Sequence, residues 1–351
     1  MDNDIEGSER WQLLDQPFTL EEFSKAVKLS THAMTWGLKF SHNDAVIQED
    51  NTFELDVTDT RGLLIDTSMH LTFSGGQKYD EYLFFRRVKP DIFRATIKLP
   101  KSGMFKLDVF GKAGTQKETS VHLVTYIIKC QHGKSNVQPY PKHSGLWGPS
   151  SNAFDIGFKP SITYNVSHKA LHGNLSLNLP VDNVPASLLH LKGTSSEENL
   201  KHYSLLETKP GGLQIHLRLP RQDFYKLEVF CKTDNSESYH SVMSFLIDGF
   251  HGTSDEVLPF PKTFPHTQEY FCELLEPTTG VLPANTPIII RFKSPKLVKG
   301  FVKCTDYNNL KENNNVWVAE VTTCETGGVL SVNGNNTGEK SCWSLYKFDI
   351  V

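Results

Sequence analysis

The pair Cys342-Trp343, in the stretch SCWSLY, offers the chain's clearest candidate for covalent chemistry, a thiol nucleophile. A thiol attacks as the thiolate, so it needs a neighbouring base to orient and deprotonate it. No histidine lies beyond His266, and the chain ends 351 − 342 = 9 residues after the cysteine. The competing expectation is a small, packed, apolar residue at the head of the last strand. Two further candidates are His132-Gly133 and His251-Gly252, which recur. A metal site needs three or four converging donors, and no second histidine or acid repeats beside them. They are expected to be turn residues, glycine supplying an unusual backbone conformation. Gly133-Lys134-Ser135 copies the tail of a phosphate loop, but the upstream glycine position holds Ile128. The acid pairs Glu21-Glu22, Asp80-Glu81 and Glu197-Glu198 point to opposite faces if they lie on strands, which leaves them solvated rather than paired for acid and base work. Arg86-Arg87 is too short a basic run to hold phosphates. No catalytic, cofactor-binding or metal-ligating residue is therefore assigned, and no cofactor is expected.

The elements that would have to position such groups follow from a repeat. KLPKSGMFKLDVFGK at residues 98–112 returns as RLPRQDFYKLEVFCK at 218–232, an offset of 218 − 98 = 120. HGKSNVQPYPK, from His132, returns as HGTSDEVLPFPK, from His251, and its Pro139 and Pro259 share that offset. A period near 120 is the size of a domain. LYKFDIV, residues 345–351, has the same aromatic-Lys-apolar-acid-apolar order and reads as a third copy. Within the unit, Phe93, Ala95, Ile97 and Leu99 alternate with Arg94, Thr96 and Lys98, as Leu213, Ile215, Leu217 and Leu219 do with Gln214, His216 and Arg218. Period two marks half-buried strands, and Pro100 and Pro220 stop them. The next strand turns inward Phe105, Leu107 and Val109, then Tyr225, Leu227 and Val229, then Tyr346, Phe348 and Ile350, with Lys106, Lys226 and Lys347 facing water. Gly103-x-Phe105-x-Leu107 resembles the corner before strand F of an immunoglobulin-like sandwich, whose tyrosine hydroxyl bonds to the backbone. Tyr225 and Tyr346 have that hydroxyl, and Phe105 lacks it.

One short helix should start at Thr19, an N-cap with Glu22 as its capping-box partner and Phe18 and Phe23 as a hydrophobic staple. Turn-rich stretches at 142–152 and 261–268 read as linkers. The net charge of −4 provides no field for nucleic acid, and no apolar run approaches the ~20 residues of a membrane span. The acidic start, MDNDIEGSERW, shows no secretory signal. Six cysteines that ignore the repeat are expected to be free thiols of a protein in the cell interior. Sequons at Asn165, Asn174 and Asn335 do not by themselves indicate secretion.

WQLLDQPFTLEEF (11–23) and WGLKFSH (36–42) resemble the segment after the transglutaminase-like domain of the kyphoscoliosis peptidase and hillarin family. GLWGPSSNAFDIGFKP (145–160) resembles the start of that family's next module, and Gly37-Leu38-Lys39 recurs as Gly157-Phe158-Lys159. The resemblance covers nearly the whole chain. It implies immunoglobulin-like modules that follow, in family members, a transglutaminase or protease-like core with Cys, His and Asp in that order. Only ten residues precede Trp11, so the chain is expected to carry the carboxy-terminal modules without the core. The family's association with muscle, the cell cortex and the cytoskeleton implies a structural role.

The expectation is an all-β chain of three serial immunoglobulin-like sandwiches: an extension with the helix at 1–32, then modules at 33–143, 150–263 and 268–351. It is expected to be a non-catalytic cytoplasmic scaffold that binds proteins, cytoskeletal ones among them, with no nucleic acid and no membrane span. The alternatives are an accessory or diverged transglutaminase-like peptidase and a secreted adhesion or glycan-binding protein. If LYKFDIV matches residues 105–110, the third module lacks a final strand. Either a partner adds a strand to its open edge, or another segment of the chain covers it.

Overall fold

In the computed structural model, residues 19–351 are described except 115–118, 135, 151, 196–199, 233–237, 252–256 and 338–340. The chain divides into two compact units, residues 1–147 and 148–351. In the first, the capping box forms as the sequence predicts. The Thr19 amide donates to Glu22 Oε2 at 2.8 Å and the Glu22 amide to Thr19 Oγ1 at 3.2 Å, and Leu20–Lys25 is helical. Phe18 of the expected staple lies outside the described residues, and Phe23 is mostly exposed. A second short helix, Thr31–Thr35, follows.

Alternating side chains then fold into two facing sheets. Leu38–Phe40, Thr52–Asp59, Ile92–Lys98 and Leu83–Lys89 form one sheet in that spatial order. Val46–Gln48, Val121–Cys130, Gly103–Ala113 and Leu64–Phe73 form the other, with Val46–Gln48 parallel to Val121–Cys130. This pairing is the immunoglobulin-like plan, and the fold is all-β. Phe93, Ala95, Ile97 and Leu99 are each fully buried, as are Leu107 and Val109. Each of these side chains larger than alanine contributes about 1.5–3 kcal/mol on leaving water.

The second unit repeats the plan. Its seven-stranded sheet runs Ser187–Gly193, Phe224–Lys232, Tyr239–His251, Ser167–Leu171, Asn174–Pro180, Gly212–Arg218, Ser204–Lys209. The parallel step is again between an early short strand, Ser167–Leu171, and the last long one, Tyr239–His251. Tyr225 makes the expected corner, its hydroxyl donating to the Arg221 carbonyl at 2.8 Å. Lys226 departs from expectation: its side chain is only 14% exposed and pairs with Glu228 at 3.1 Å.

The remaining residues form the sheet Glu273–Glu276, Pro287–Lys293, Val316–Thr322, Lys311–Asn313, facing a second one built on Trp343–Ile350, Val329–Asn335, Lys299–Lys303 and Tyr307–Asn309. Here two expectations fail together. Trp343–Ile350 takes the place of Val121–Cys130 and Tyr239–His251, because the early strand Val281–Leu282 runs parallel to it. Val329–Asn335 fills the place assigned to LYKFDIV, so no final strand is missing. Tyr346 is accordingly not a corner tyrosine. Alternation with period two marks any half-buried strand and does not tell one from its neighbour. Nor is the edge open. Trp343–Ile350 is flanked by Val329–Asn335 on one side and by Lys262–Thr263 and Val281–Leu282 on the other. The expected linker at 261–268 is ordered, Lys262–Thr263 as strand and Pro265–Glu269 as helix.

These bonds set an exchange pattern. The Asp349 amide donates to Gly280 at 2.8 Å, Ile350 to Gly328 at 3.1 Å and Val351 to Leu282 at 2.9 Å. In hydrogen exchange read by mass spectrometry, amides 345–351 should be as slow as those of the central strand Phe224–Lys232. Loop-like exchange there would contradict the pairing.

Candidate partner-binding groove

The structure disperses most of the groups that the sequence marks for chemistry. The thiols of Cys231 and Cys272 are pushed up by burial, to about 11 and about 12, and burial also raises that of Cys130. Such thiols are inert. Cys304 and Cys324 are joined in a disulfide, Cα atoms 5.9 Å apart, which corrects the expectation of six free thiols. They follow strands of opposite sheets, Lys299–Lys303 and Val316–Thr322, that end side by side. Their spacing of 20 has no counterpart in the repeat. Cys342 is partly exposed rather than packed. The fold brings His266 near it despite the chain order: the imidazole lies tilted against Trp343, centroids 4.8 Å apart, and its Nδ1 meets Glu269 Oε2 at 2.7 Å. No hydrogen bond joins that imidazole to Cys342 Sγ among the described residues.

His132 and Gly133 form a turn, as expected. His132 Nδ1 lies 2.8 Å from Asp50 Oδ2, and the amides of Gln131 and His132 donate to Asp50 Oδ1 at 2.6 and 3.0 Å. Those hydrogen bonds hold the Asp50 carboxyl below its usual range. Gly133 has φ +52°, and a Cβ there would lie 2.2 Å from the Lys101 carbonyl carbon. The side chain of His251, together with Gly252, Ser135, Glu197 and Glu198, lies outside the described residues. Glu22 serves the helix cap. Asp80 accepts from the Leu71 amide at 2.9 Å and lies 3.0 Å from His70 Nδ1. Arg86 donates to Thr96 Oγ1 at 3.0 Å and lies over Phe84, and Arg87 lies over Phe93. Among the described residues, no group of three His, Cys, Asp or Glu side chains is arranged to hold a metal.

What the repeat conserves is a clasp. Lys98 Nζ sits 3.6 Å from the Tyr140 ring centroid and donates to the Gln138 carbonyl at 2.9 Å. At the offset of 120, the Arg218 guanidinium sits 4.1 Å from the Phe260 ring centroid and donates to the Leu258 carbonyl at 3.2 Å. The Pro-aromatic-Pro-Lys tail thus returns beneath the strand that opens the repeat. In the second unit the clasp reaches further, because Arg218 also donates to the Thr278 carbonyl at 3.1 Å and to its Oγ1 at 2.8 Å.

That contact begins a junction between the last two sandwiches that sequence reasoning did not find. Glu207, almost fully buried, accepts from the Leu274 amide at 2.9 Å. Thr208 Oγ1 donates to the Gln268 carbonyl at 2.7 Å. The Gln268 carboxamide behaves as a neighbouring strand: its Oε1 accepts from the Ser187 amide at 3.0 Å and its Nε2 donates to the Ser187 carbonyl at 2.8 Å. Partners 60 to 81 residues apart leave no local pattern. Beside the junction lies a groove of about 620 Å³. One wall is the edge strand through Ser187, Leu188 and Leu189, and the other is Phe264, Pro265 and Phe271. Lys232, Lys262 and Lys296 stand at its rim, Lys296 Nζ 4.3 Å from the centroid of Phe271. Phe271 holds φ +53°, a left-handed backbone that costs a non-glycine residue about 1 kcal/mol or more.

The family model described as "KY-like, immunoglobulin-like domain" matches residues 20–141 and 172–261. Human kyphoscoliosis peptidase is 26% identical over 332 residues, 93% of this chain and 48% of that protein. The mouse protein of that name is 25% identical over 308 residues, 85% of this chain and 44% of its own length. Hillarin of Drosophila melanogaster is 25% identical over 251 residues, 64% of this chain and 30% of its own. The chain therefore spans less than half the length of these curated relatives.

Two substitutions probe this geometry. Gln268→Ala removes both partners of the Ser187 backbone and should cost about 1–3 kcal/mol, seen as faster exchange at Ser187 and a lower urea midpoint. Unchanged exchange would mean that the carboxamide does not hold the junction. The pH test concerns Asp50, whose depressed value stabilises the fold above the ordinary carboxylate range and ceases to do so as pH falls through the folded value. The stability difference between the natural chain and Asp50→Asn should be full at pH 6 and shrink below about pH 4. A difference independent of pH would remove the charge from the account.

Proposed function

The chain belongs to the family of KY-like, immunoglobulin-like domains, and from that premise we propose that it is a non-catalytic, protein-binding scaffold of the cell interior with cytoskeletal partners. The observation that carries this reading is the groove beside the hydrogen-bonded junction: an edge strand, apolar walls and a cationic rim suit a polypeptide better than a reaction. Three of the four cysteines outside the disulfide are buried, with raised thiol values, which supports a binding role. Two relatives are named peptidases, and because the chain covers less than half of each, that activity is the rival reading. His266 and Glu269 beside Cys342-Trp343 are the feature that favours it.

A second rival, a secreted adhesion protein, is favoured by the disulfide and opposed by one sequon. Asn335 is 2% exposed and its side-chain amide donates to the Ser341 carbonyl at 2.7 Å, closed to a glycan.

Three measurements separate the readings. The purified chain should co-sediment with cytoskeletal filaments and should show neither proteolysis nor amine incorporation. Either activity, lost in Cys342→Ala, would replace the scaffold with an enzyme. Alkylation of unreduced protein from its native source separates the two compartments: four thiols mean that the Cys304–Cys324 disulfide persists there, as outside the cell, and six that it is reduced, as in the interior.

A further inference from the structure

We propose that the groove between the edge strand Ser187–Gly193 and the segment 261–271 binds an extended, acidic segment of a partner protein, which adds to the sheet as a further strand. This rests on the protein-binding reading above and names the chemistry of the partner.

The backbone supports strand addition. The Lys232 amide donates to the Ala186 carbonyl at 2.9 Å, and the Thr194 amide to the Phe224 carbonyl at 3.0 Å. Even-numbered residues therefore bond to the neighbouring strand Phe224–Lys232, and by the antiparallel alternation the backbone groups of Ser187, Leu189, Leu191 and Gly193 face away from it. Gln268 already occupies the Ser187 position with a strand-like pair of bonds. Leu189, the next outward position, lines the groove.

Charge selects the occupant. Lys232, Lys262 and Lys296 line the groove, and no ion pair engages them among the described residues. Lys262 and Lys296 rest on the rings of Phe264 and Phe271. Glu269 is the one carboxylate among the described lining residues, and His266 already takes it. A strand docked at Leu189 turns alternate side chains to one face, so acids at every second position would meet the lysines while their neighbours met Leu188 and Pro265. Acids opposite the lysines satisfy charges that a neutral or basic strand would leave bare.

The probe is a fluorescein-labelled octapeptide of alternating Glu and Val, titrated into the full chain by anisotropy. It should bind, slow the exchange of the Leu189 amide, and weaken about tenfold in the Lys232→Ala/Lys262→Ala/Lys296→Ala variant. An analogue N-methylated at alternate residues should lose binding, a control that does not depend on the variant's fold. Three results would overturn the proposal: equal binding of an alternating Lys and Val peptide, protection at a different edge, or slow Leu189 exchange in the free chain. The last would mean that a second copy or a segment of this chain fills the groove. Filament co-sedimentation is read separately, so its survival in the triple variant would reject the groove and leave the scaffold reading standing.

Discussion

A cation laid over an aromatic ring organises this chain. Lys98 over Tyr140 and Arg218 over Phe260 tie each proline-rich tail to the strand that opens the repeat. Such a contact is worth about 0.5–2 kcal/mol, little against the burial of a sandwich core. Its effect is geometric. Within the second unit, the tail carries the chain out of one sandwich, and fixing it decides where the next segment starts. Phe260 is held from two further directions, its amide donating to the His202 carbonyl at 2.7 Å while Pro259 accepts from the Gly280 amide at 2.7 Å. Gly280 has to be glycine, since a Cβ would lie 2.4 Å from the Phe260 carbonyl oxygen.

From that fixed tail the junction follows. Lys262–Thr263 is delivered onto the edge of Trp343–Ile350, and the helix Pro265–Glu269 is delivered against Ser187 and Thr208. The buried carboxylate of Glu207 is tolerable because the Leu274 amide and, 3.5 Å from its other oxygen, His216 Nε2 compensate it. Removing one partner would strand a buried polar group, so these contacts are retained together or lost together. Cys272, at the same junction, is sealed by this packing, which is why its thiol is driven upward.

The strand alternation was fully legible, because period two is a local property and burial follows it residue by residue from Phe93 to Leu99. The helix cap was legible for the same reason, its two partners lying three residues apart. The identity of the last strand was not, since an aromatic, a lysine and an acid in alternation fit any strand with one wet face. Only the parallel pairing with Val281–Leu282, 68 residues away at Asp349, distinguishes it. The two ends of each clasp were visible as separate echoes at a common offset, but nothing in either stretch says that they touch. Gln268 carried no signal at all. Its role arises from a contact 81 residues distant, in a stretch whose prolines and threonines read as linker.

A linker at 261–268 and an ordered junction there have different consequences for binding. If the last two sandwiches were flexibly joined, a groove between them would have to be assembled at each encounter, and the ordering of both walls would oppose association. Here the walls are set by bonds within the chain, from Arg218 to Thr278 and from Gln268 to Ser187, so that cost is met during folding. The strained backbone of Phe271 fits the same logic, because a left-handed residue persists only where its surroundings over-determine it. The bonding across this joint, more than any single side chain on its rim, is what gives the groove a defined shape.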